Sequence, residues 1–337
     1  LFIAIGYAII VSYVCKALVD SISGELLHVN SKQWFESFSN NDYSVVVYHF
    51  LIILATLLTC IKGAKTIEKS NKIMMPAFFV LFVVIAIYIF TLPNSIEGYK
   101  YMFRLDFDKL NINTVISAMG QAFFSLSITG CGMIVCGSYL DKKEDILSAA
   151  KSTALFDTLS ALLSSCVIVP SILVFNLDQA GGPGLLFEVL PTILQNIKGG
   201  RIFAIILYLA VIFAGISSLQ NMFEVVVESL IHRYKNITRV KALILIGLIT
   251  FLVGVNMETI GKWGPWMDLV SIYIIPIGAS IGAITWFYFW KKEEQLEEVN
   301  MGAKKKVGEK WHKIGKYVYV PIAIGLSILA LVFKVTF

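Results

Sequence analysis

Long apolar stretches separated by short polar loops make up most of this chain of 337 residues. A transmembrane helix needs about 20 predominantly apolar residues. Stretches of roughly this length predict nine spans, at residues 1–22, 44–62, 74–93, 113–140, 150–176, 202–231, 240–257, 266–290 and 316–336. The pattern therefore predicts an all-α polytopic membrane protein with about nine transmembrane helices.

The fourth span, 113–140, differs from the others because its middle is a poor helix interior. Three hydroxyl side chains and two glycines lie there, in the segment Ser125-Leu126-Ser127-Ile128-Thr129-Gly130-Cys131-Gly132. Glycine weakens a helix, and serine and threonine offer competing local hydrogen bonds. Unpaired backbone at membrane depth is tolerated only inside protein or beside a water-filled cavity. The segment is explained either by two half-helices that meet at a ligand or by a continuous helix whose small residues allow close packing.

The composition supports the membrane assignment and excludes several other classes of protein. The chain is 57% hydrophobic and 15% charged, with a mean hydropathy of +0.76. The five cysteines and four histidines form no metal-binding spacing. There is no zinc motif, phosphate-binding loop or nucleophile elbow, and few aromatics lie between the basic residues. We therefore expect neither an enzyme nor a nucleic-acid-binding protein.

The charges indicate the orientation in the membrane. Most of the 28 lysines and arginines fall in alternate loops, which the positive-inside rule places in the cytoplasm. On the opposite, external side, residues 177–201 contain a Gly-Gly-Pro-Gly loop signal followed by the apolar run LLFEVLPTIL, which predicts a short capping or re-entrant helix. The charged cytoplasmic segment 292–313 predicts a surface helix.

Polar groups within the spans are candidates for function, because they are costly in hydrocarbon. Asp157 is explained by binding sodium or a proton, or alternatively by a bond to a neighbouring hydroxyl. The segment 214–218 offers hydroxyls and a carbonyl for sodium, but small residues also serve helix packing. Asp268 fits a gate residue or an interfacial acid. Glu224 and Glu228 share one helix face and receive no assigned role.

Four separated segments resemble the neurotransmitter:sodium symporters, in their bacterial amino-acid branch. They are Gly120-Gln121-Ala122-Phe123-Phe124-Ser125-Leu126-Ser127 continuing to Gly137-Ser138-Tyr139-Leu140, Ile67-Glu68-Lys69 to Met74-Met75-Pro76, Ala214-Gly215-Ile216-Ser217-Ser218, and Trp266-Met267-Asp268. The resemblance implies the inverted-repeat (5+5) symporter fold, with broken helices around a central site. Residues 1–337 would form a single transporter domain equivalent to family helices 3 to 11, and we expect the first two helices to precede residue 1.

The resemblance also implies roles for individual residues. The substrate would contact Tyr7, Ile3, Phe124, Ser127, Gly130, Met222 and Ser218. Sodium ions would be bound by Ser125 and Asp157 at one site and by Ala214, Ser217 and Ser218 at a second. Asp268 would close the external gate and Tyr139 the cytoplasmic gate.

Some positions depart from the family pattern. The position of Asp157 is often asparagine in the family, and Ala161 stands where chloride-dependent members have a hydroxyl. A fixed carboxylate would replace the charge of chloride, so we expect chloride-independent transport. Gly130 replaces an aromatic wall, and Met222 is flexible and contacts aromatic rings well. The substrate is therefore expected to be an aromatic or bulky apolar amino acid.

The resemblance thus predicts sodium-coupled symport of an amino acid into the cell by alternating access, with sodium as the only cofactor. The expected location is the bacterial inner membrane, and the expected partners are the amino acid, sodium ions and the lipid bilayer. A non-transporting amino-acid sensor on the same scaffold and a proton-coupled transporter remain alternatives.

Overall fold

The computed structural model describes residues 1–62, 64–127, 133, 137, 140–176 and 182–333, and these ranges contain helices and turns but no strand. The chain forms two compact units. Unit 1 consists of Leu1–Leu105 and Ser160–Pro265, and unit 2 of Asp106–Leu159 and Trp266–Phe337.

Unit 1 contains most of the long helices. They are α1 (Phe2–Ser23), α2 (Ser31–Ser39), α3 (Val46–Lys62), α4 (Ala64–Phe90), α5 (Ser95–Phe103), the second half of α7 (Ile146–Val174), α8 (Leu190–Gln195), α9 (Gly200–Arg233), α10 (Arg239–Gly254) and the start of α11 (Ile260–Asp268).

Unit 2 contains the interrupted span and the C-terminal helices. They are α6 (Ile112–Ser125), the first half of α7, the end of α11, α12 (Ile275–Ile284), α13 (Lys292–Asn300), α14 (Glu309–Ile314) and α15 (Val320–Phe333). Wide π-helical turns at Leu269–Ile274, Thr285–Phe289 and Gly315–Tyr319 continue α11, α12 and α14.

Helices lie over all nine predicted spans in the described part of the chain. Five of them are long and apolar enough to cross a membrane, or six if the pair Met75–Phe90 and Ser95–Phe103, bent by 115°, is one span. The spans predicted at 44–62, 113–140 and 316–336 contain the shorter helices α3, α6 and α15. The helix α6 is short because it ends where glycines and hydroxyls interrupt the apolar run.

The core of unit 1 is the contact between α1 and α9. A Cβ atom added to Gly215 of α9 would lie only 2.7 Å from the side chain of Val11 in α1, so only glycine allows this approach. The left-handed Gly24, at φ 89°, ends α1 by donating its N–H to the carbonyls of Asp20 and Ser21. These contacts fix the position of α1, and with it the position of Tyr7.

The apolar run on the external side forms a helix, which confirms that prediction. A π-helical turn, Leu185–Val189, leads directly into α8. The buried ring of Phe187 stacks on Phe35 of α2 with ring centres 5.2 Å apart. The Gln195 side chain donates to the carbonyls of Leu26 (2.7 Å) and Val29 (2.9 Å). The segment therefore covers the α2 side of unit 1 as a packed helix.

The prediction of a single surface helix over residues 292–313 is wrong, because the segment forms two short helices, α13 and α14. Asn300 stabilises the connecting loop by exchanging two hydrogen bonds with the backbone of Val307, at 2.7 and 2.8 Å. A Cβ atom on Gly302 would lie 2.1 Å from the carbonyl oxygen of Glu144. Only glycine allows this close contact. Gly302 therefore belongs to the loop between α13 and α14, where a single helix over 292–313 would have continued.

Candidate functional site

The first part of the candidate site is the end of α6 in unit 2. The Asn111 side chain caps the start of α6 by accepting the N–H of Thr114 at 2.9 Å. The helix ends at Ser125, and the N–H of Ser127 bonds to the carbonyl of Phe124 at 3.0 Å. Ser127 has φ 53°, a left-handed conformation that is uncommon for residues other than glycine. The chain thus turns out of the helix directly after Phe124 and Ser125.

Asp157 is the second member of this group, and it also belongs to unit 2. It lies within the predicted span 150–176, about 10 Å along α7 from residue 150 at 1.5 Å per residue. The Ser125 hydroxyl donates a hydrogen bond to the Asp157 carboxylate. A carboxylate and a hydroxyl are thereby brought together beside a helix end. The resemblance to the family assigns both to the first sodium site, and that role stays a prediction. Oxygen ligands of this kind suit a hard cation.

The segment 214–218 lies within α9 in unit 1, and its side chains are buried or half-buried. The sequence-based interpretation expected hydroxyls and a backbone carbonyl for sodium here, or small residues for helix packing. The helix α9 continues unbroken through Ser217 and Ser218. A carbonyl oxygen within a helix keeps a second lone pair, so Ala214 still offers an acceptor. Gly215 makes the close contact with α1, so the small residues serve helix packing here. The sodium roles of Ala214, Ser217 and Ser218 stay predictions.

The other substrate positions in unit 1 are Ile3, Tyr7 and Met222, and all three are half-buried. Tyr7 and Met222 pack against the hydrophobic core of this unit. The indole N–H of Trp263 donates to the carbonyl of Gly6 at 2.8 Å, which fixes the backbone beside Tyr7. The tyrosine hydroxyl is thus carried by a well-supported part of α1.

The remaining predicted residues belong to unit 2 or lie outside the described residues. The half-buried Phe124 is on the last turn of α6, and the half-buried Asp268 is the last residue of α11, just before a π-helical turn. Gly130 and Tyr139 lie outside the described residues, so their predicted roles stay predictions.

The sequence interpretation missed the partner of Glu224 and Glu228. Arg239, at the start of α10, donates to the buried Glu224 carboxylate and lies 3.4 Å from Glu228. The same guanidinium nitrogen, Nη2, also donates to the carbonyl of Cys60 at the end of α3, at 3.1 Å. The charges at the C-terminal end of α9 therefore connect three helices of unit 1. The shared helix face of the two glutamates was the only signal of this contact in the sequence.

A second missed contact joins α3 to the segment that follows α10 in unit 1. The fully buried side chains of His49 and Glu258 meet at 3.1 Å between Nδ1 and Oε1. The Tyr13 hydroxyl donates to the backbone carbonyl of Glu258. No hydrogen-bond partner is found, among the described residues, for His49 Nε2 or Glu258 Oε2. The sequence contains no signal of this pair because 209 positions separate its members.

A helix that ends inside an apolar stretch, a carboxylate beside a hydroxyl and several apolar spans are typical of a multi-pass membrane transporter. The model of the sodium:neurotransmitter symporter family matches residues 15–336, and the chain belongs to this family. The transporter is therefore sodium-coupled and is not an enzyme.

The relatives are sodium-dependent transporters from several organisms. The chain is 29% identical to the uncharacterized sodium-dependent transporter YhdH of Bacillus subtilis, over 97% of this chain and 76% of that protein. It is 26% identical to an uncharacterized sodium-dependent transporter of Haemophilus influenzae, over 94% and 74% of the two chains. The crystal structure of MhsT in complex with L-phenylalanine matches with a TM-score of 0.88 and 30% identity, over 98% of this chain and 78% of that chain. The symporter fold implied by the resemblance is confirmed.

Proposed function

We propose that the protein carries an amino acid into the cell together with sodium, in the inner membrane of a bacterium. The observation that carries this proposal is the hydrogen bond from Ser125 to Asp157 at the end of α6. A carboxylate within an apolar span is costly in the membrane unless a cation or a proton offsets its charge. Because the family couples transport to sodium, Asp157 and Ser125 are the residues we assign to the first sodium site.

The second sodium site is assigned to Ser217, Ser218 and the carbonyl of Ala214. These residues lie within α9 in unit 1, about halfway along its 34 residues. Half-buried hydroxyls on a long apolar helix are candidate oxygen ligands, and neutral oxygens suit a singly charged cation. This assignment is independent of the first site, since the two sets of residues belong to different units.

The substrate is proposed to be an aromatic or bulky apolar amino acid. Tyr7 is assigned to the substrate carboxylate, and Ile3, Met222 and Ser218 to the remainder of its unit 1 contacts. In unit 2 the contacts are assigned to Phe124 and Ser127, and Gly130 would leave room for a large side chain. The related MhsT binds L-phenylalanine, which supports the same substrate class here.

Competition should identify the substrate. With the full-length protein in proteoliposomes, an inward sodium gradient should drive labelled amino-acid uptake that tyrosine, tryptophan and leucine inhibit better than alanine. Stronger inhibition by alanine would contradict the assignment of a large pocket. Uptake that follows a pH gradient but ignores sodium would indicate proton coupling. Binding without flux would indicate a sensor on the transporter scaffold.

Transport is proposed to be independent of chloride, because Asp157 supplies a fixed negative charge beside the first sodium site. Replacing chloride by gluconate should therefore leave the initial rate of uptake unchanged. The matched control is Asp157→Asn, which keeps an oxygen ligand but removes the charge. Any uptake that this variant retains should depend on chloride. A wild-type rate that collapses in gluconate would refute the proposal.

The gates are assigned to Asp268 on the external side and Tyr139 on the cytoplasmic side. Asp268 is half-buried at the point where α11 widens into a π-helical turn. Such turns often mark functional positions in helices. In an alternating-access cycle Asp268 would stabilise the state that is closed to the outside.

A further inference from the structure

A groove in unit 2 is lined by none of the residues assigned to transport. It has a volume of about 430 Å³, within the range of small-molecule pockets. The groove opens between the end of α12 and the start of α15, at the cytoplasmic ends of two predicted spans. Its walls are apolar except for one phenol, and they consist of Ile284, Tyr288, Val320, Pro321, Ile324 and Gly325.

Two wide turns shape this groove. The π-helical turns Thr285–Phe289 and Gly315–Tyr319 both adjoin it. A Cβ atom on Gly315 would lie 2.1 Å from the ring of Phe287, so glycine allows that ring to enter between the two helices. The hydroxyl of Tyr288 donates to the carbonyl of Lys316 at 3.3 Å, which holds the phenol ring at the groove. The cavity is therefore built by specific contacts between its two helices.

The mouth of the groove carries a positive charge. The Lys316 amine lies 4.5 Å from the centre of the Tyr288 ring, a cation–π contact that still leaves N–H groups free to donate. Within the described part of the chain, no carboxylate forms an ion pair with Lys316. Six lysines and one glutamate, Glu309, lie between residues 304 and 316. The groove therefore has an apolar interior and a basic rim.

The nearby acids are held by other partners. Glu309 lies 3.6 Å from both Lys292 and Lys313, and the charges of Lys313 and Lys292 hold the pKa of this carboxyl below its usual value. On α13, Glu294 accepts the indole N–H of Trp290 at 2.7 Å and lies 3.5 Å from Lys291. These contacts leave the Lys316 amine available to an external anion.

We propose that this groove binds one acyl chain of an anionic phospholipid from the cytoplasmic leaflet, with its phosphate on Lys316. Basic pockets between transmembrane helices on the cytoplasmic side suit anionic head groups. The apolar walls match an acyl chain, and the aromatic residues Tyr288 and Trp290 stand at the level expected for the membrane interface. A zwitterionic lipid would fill the groove but would gain less from the uncompensated amine.

Titration with a labelled lipid tests this site in the full-length protein. The probe is phosphatidylglycerol with brominated acyl chains, added to phosphatidylcholine nanodiscs, and the readout is quenching of Trp286 and Trp290 fluorescence. Lys316→Gln should raise the half-saturating fraction of phosphatidylglycerol about fivefold, as expected for the loss of one lysine near the surface. Lys316→Arg should restore wild-type binding.

Two further variants separate a specific site from general attraction. Lys310→Gln removes the same charge from the same basic segment outside the groove, so it should change the half-saturating fraction much less. Gly325→Leu should weaken quenching by filling the groove, since a Cβ atom there meets no atom within 4 Å. Equal effects of Lys316→Gln and Lys310→Gln, or unchanged quenching in Gly325→Leu, would overturn the proposal. Equal binding of brominated phosphatidylcholine would also overturn it.

Discussion

Asp157→Ala is expected to abolish sodium-dependent uptake by the full-length protein. The substitution removes the one charged ligand assigned to the first sodium site and leaves only the neutral Ser125 hydroxyl. A neutral side chain in its place cannot offset the charge of a bound cation, so the half-saturating sodium concentration should rise beyond the measurable range. Initial rates of labelled amino-acid uptake at graded sodium concentrations measure the effect.

A neighbour on the same helix provides the control. Thr158 is exposed, and its hydroxyl already donates to the carbonyl of Ala154 within α7 at 2.9 Å. Thr158→Ala should therefore leave the sodium dependence unchanged. Ser125→Ala should have an intermediate effect, because it removes a neutral ligand. Full uptake by Asp157→Ala, with the sodium dependence of the wild type, would refute the assigned role.

The sequence predicts the helices well because a bilayer allows few backbone conformations. Apolar length alone places α1, α7 and α9, since no other backbone arrangement of such segments satisfies its hydrogen bonds in lipid. The same constraint identifies Asp157, because an acid in an apolar span is costly wherever it lies. It also indicates the end of α6, where Ser125 and Ser127 follow a regular apolar helix. These are local signals that can be read within one turn or one span.

Contacts between distant segments are not predictable in this way. Glu224 and Glu228 share a visible helix face, but the sequence does not show that Arg239, beyond the following turn, pairs with both. The two short helices over residues 292–313 depend on a backbone contact between Gly302 and Glu144, far apart in sequence. Without knowledge of that contact, the charged segment 292–313 predicts one surface helix. The buried His49–Glu258 pair is the clearest case, because neither residue lies in an unusual local pattern.

Glu258→Ala is expected to destabilise unit 1 strongly. The substitution leaves the buried imidazole of His49 without its only described hydrogen-bond partner. Loss of one member of a buried pair costs about 3–5 kcal/mol. A loss of this size should lower the unfolding temperature by on the order of 10 °C, measured by thermal unfolding in detergent. The exposed pair of Asp42 and Lys262, at 2.5 Å, gives a matched control. Asp42→Ala should cost less than about 1 kcal/mol.

The double variant His49→Leu with Glu258→Met tests the cause of the stability loss expected in Glu258→Ala. If the loss in Glu258→Ala comes from the polar imidazole left without a partner, replacing both residues by apolar ones of similar size should recover most of the unfolding temperature. The hydrogen bond from the Tyr13 hydroxyl should be the same in all these variants, because its acceptor is the backbone carbonyl of residue 258 and not the side chain. Additive losses in the double variant would mean that the two side chains act independently through packing. A coupling energy near zero would therefore contradict the assignment of His49 and Glu258 as a stabilising pair.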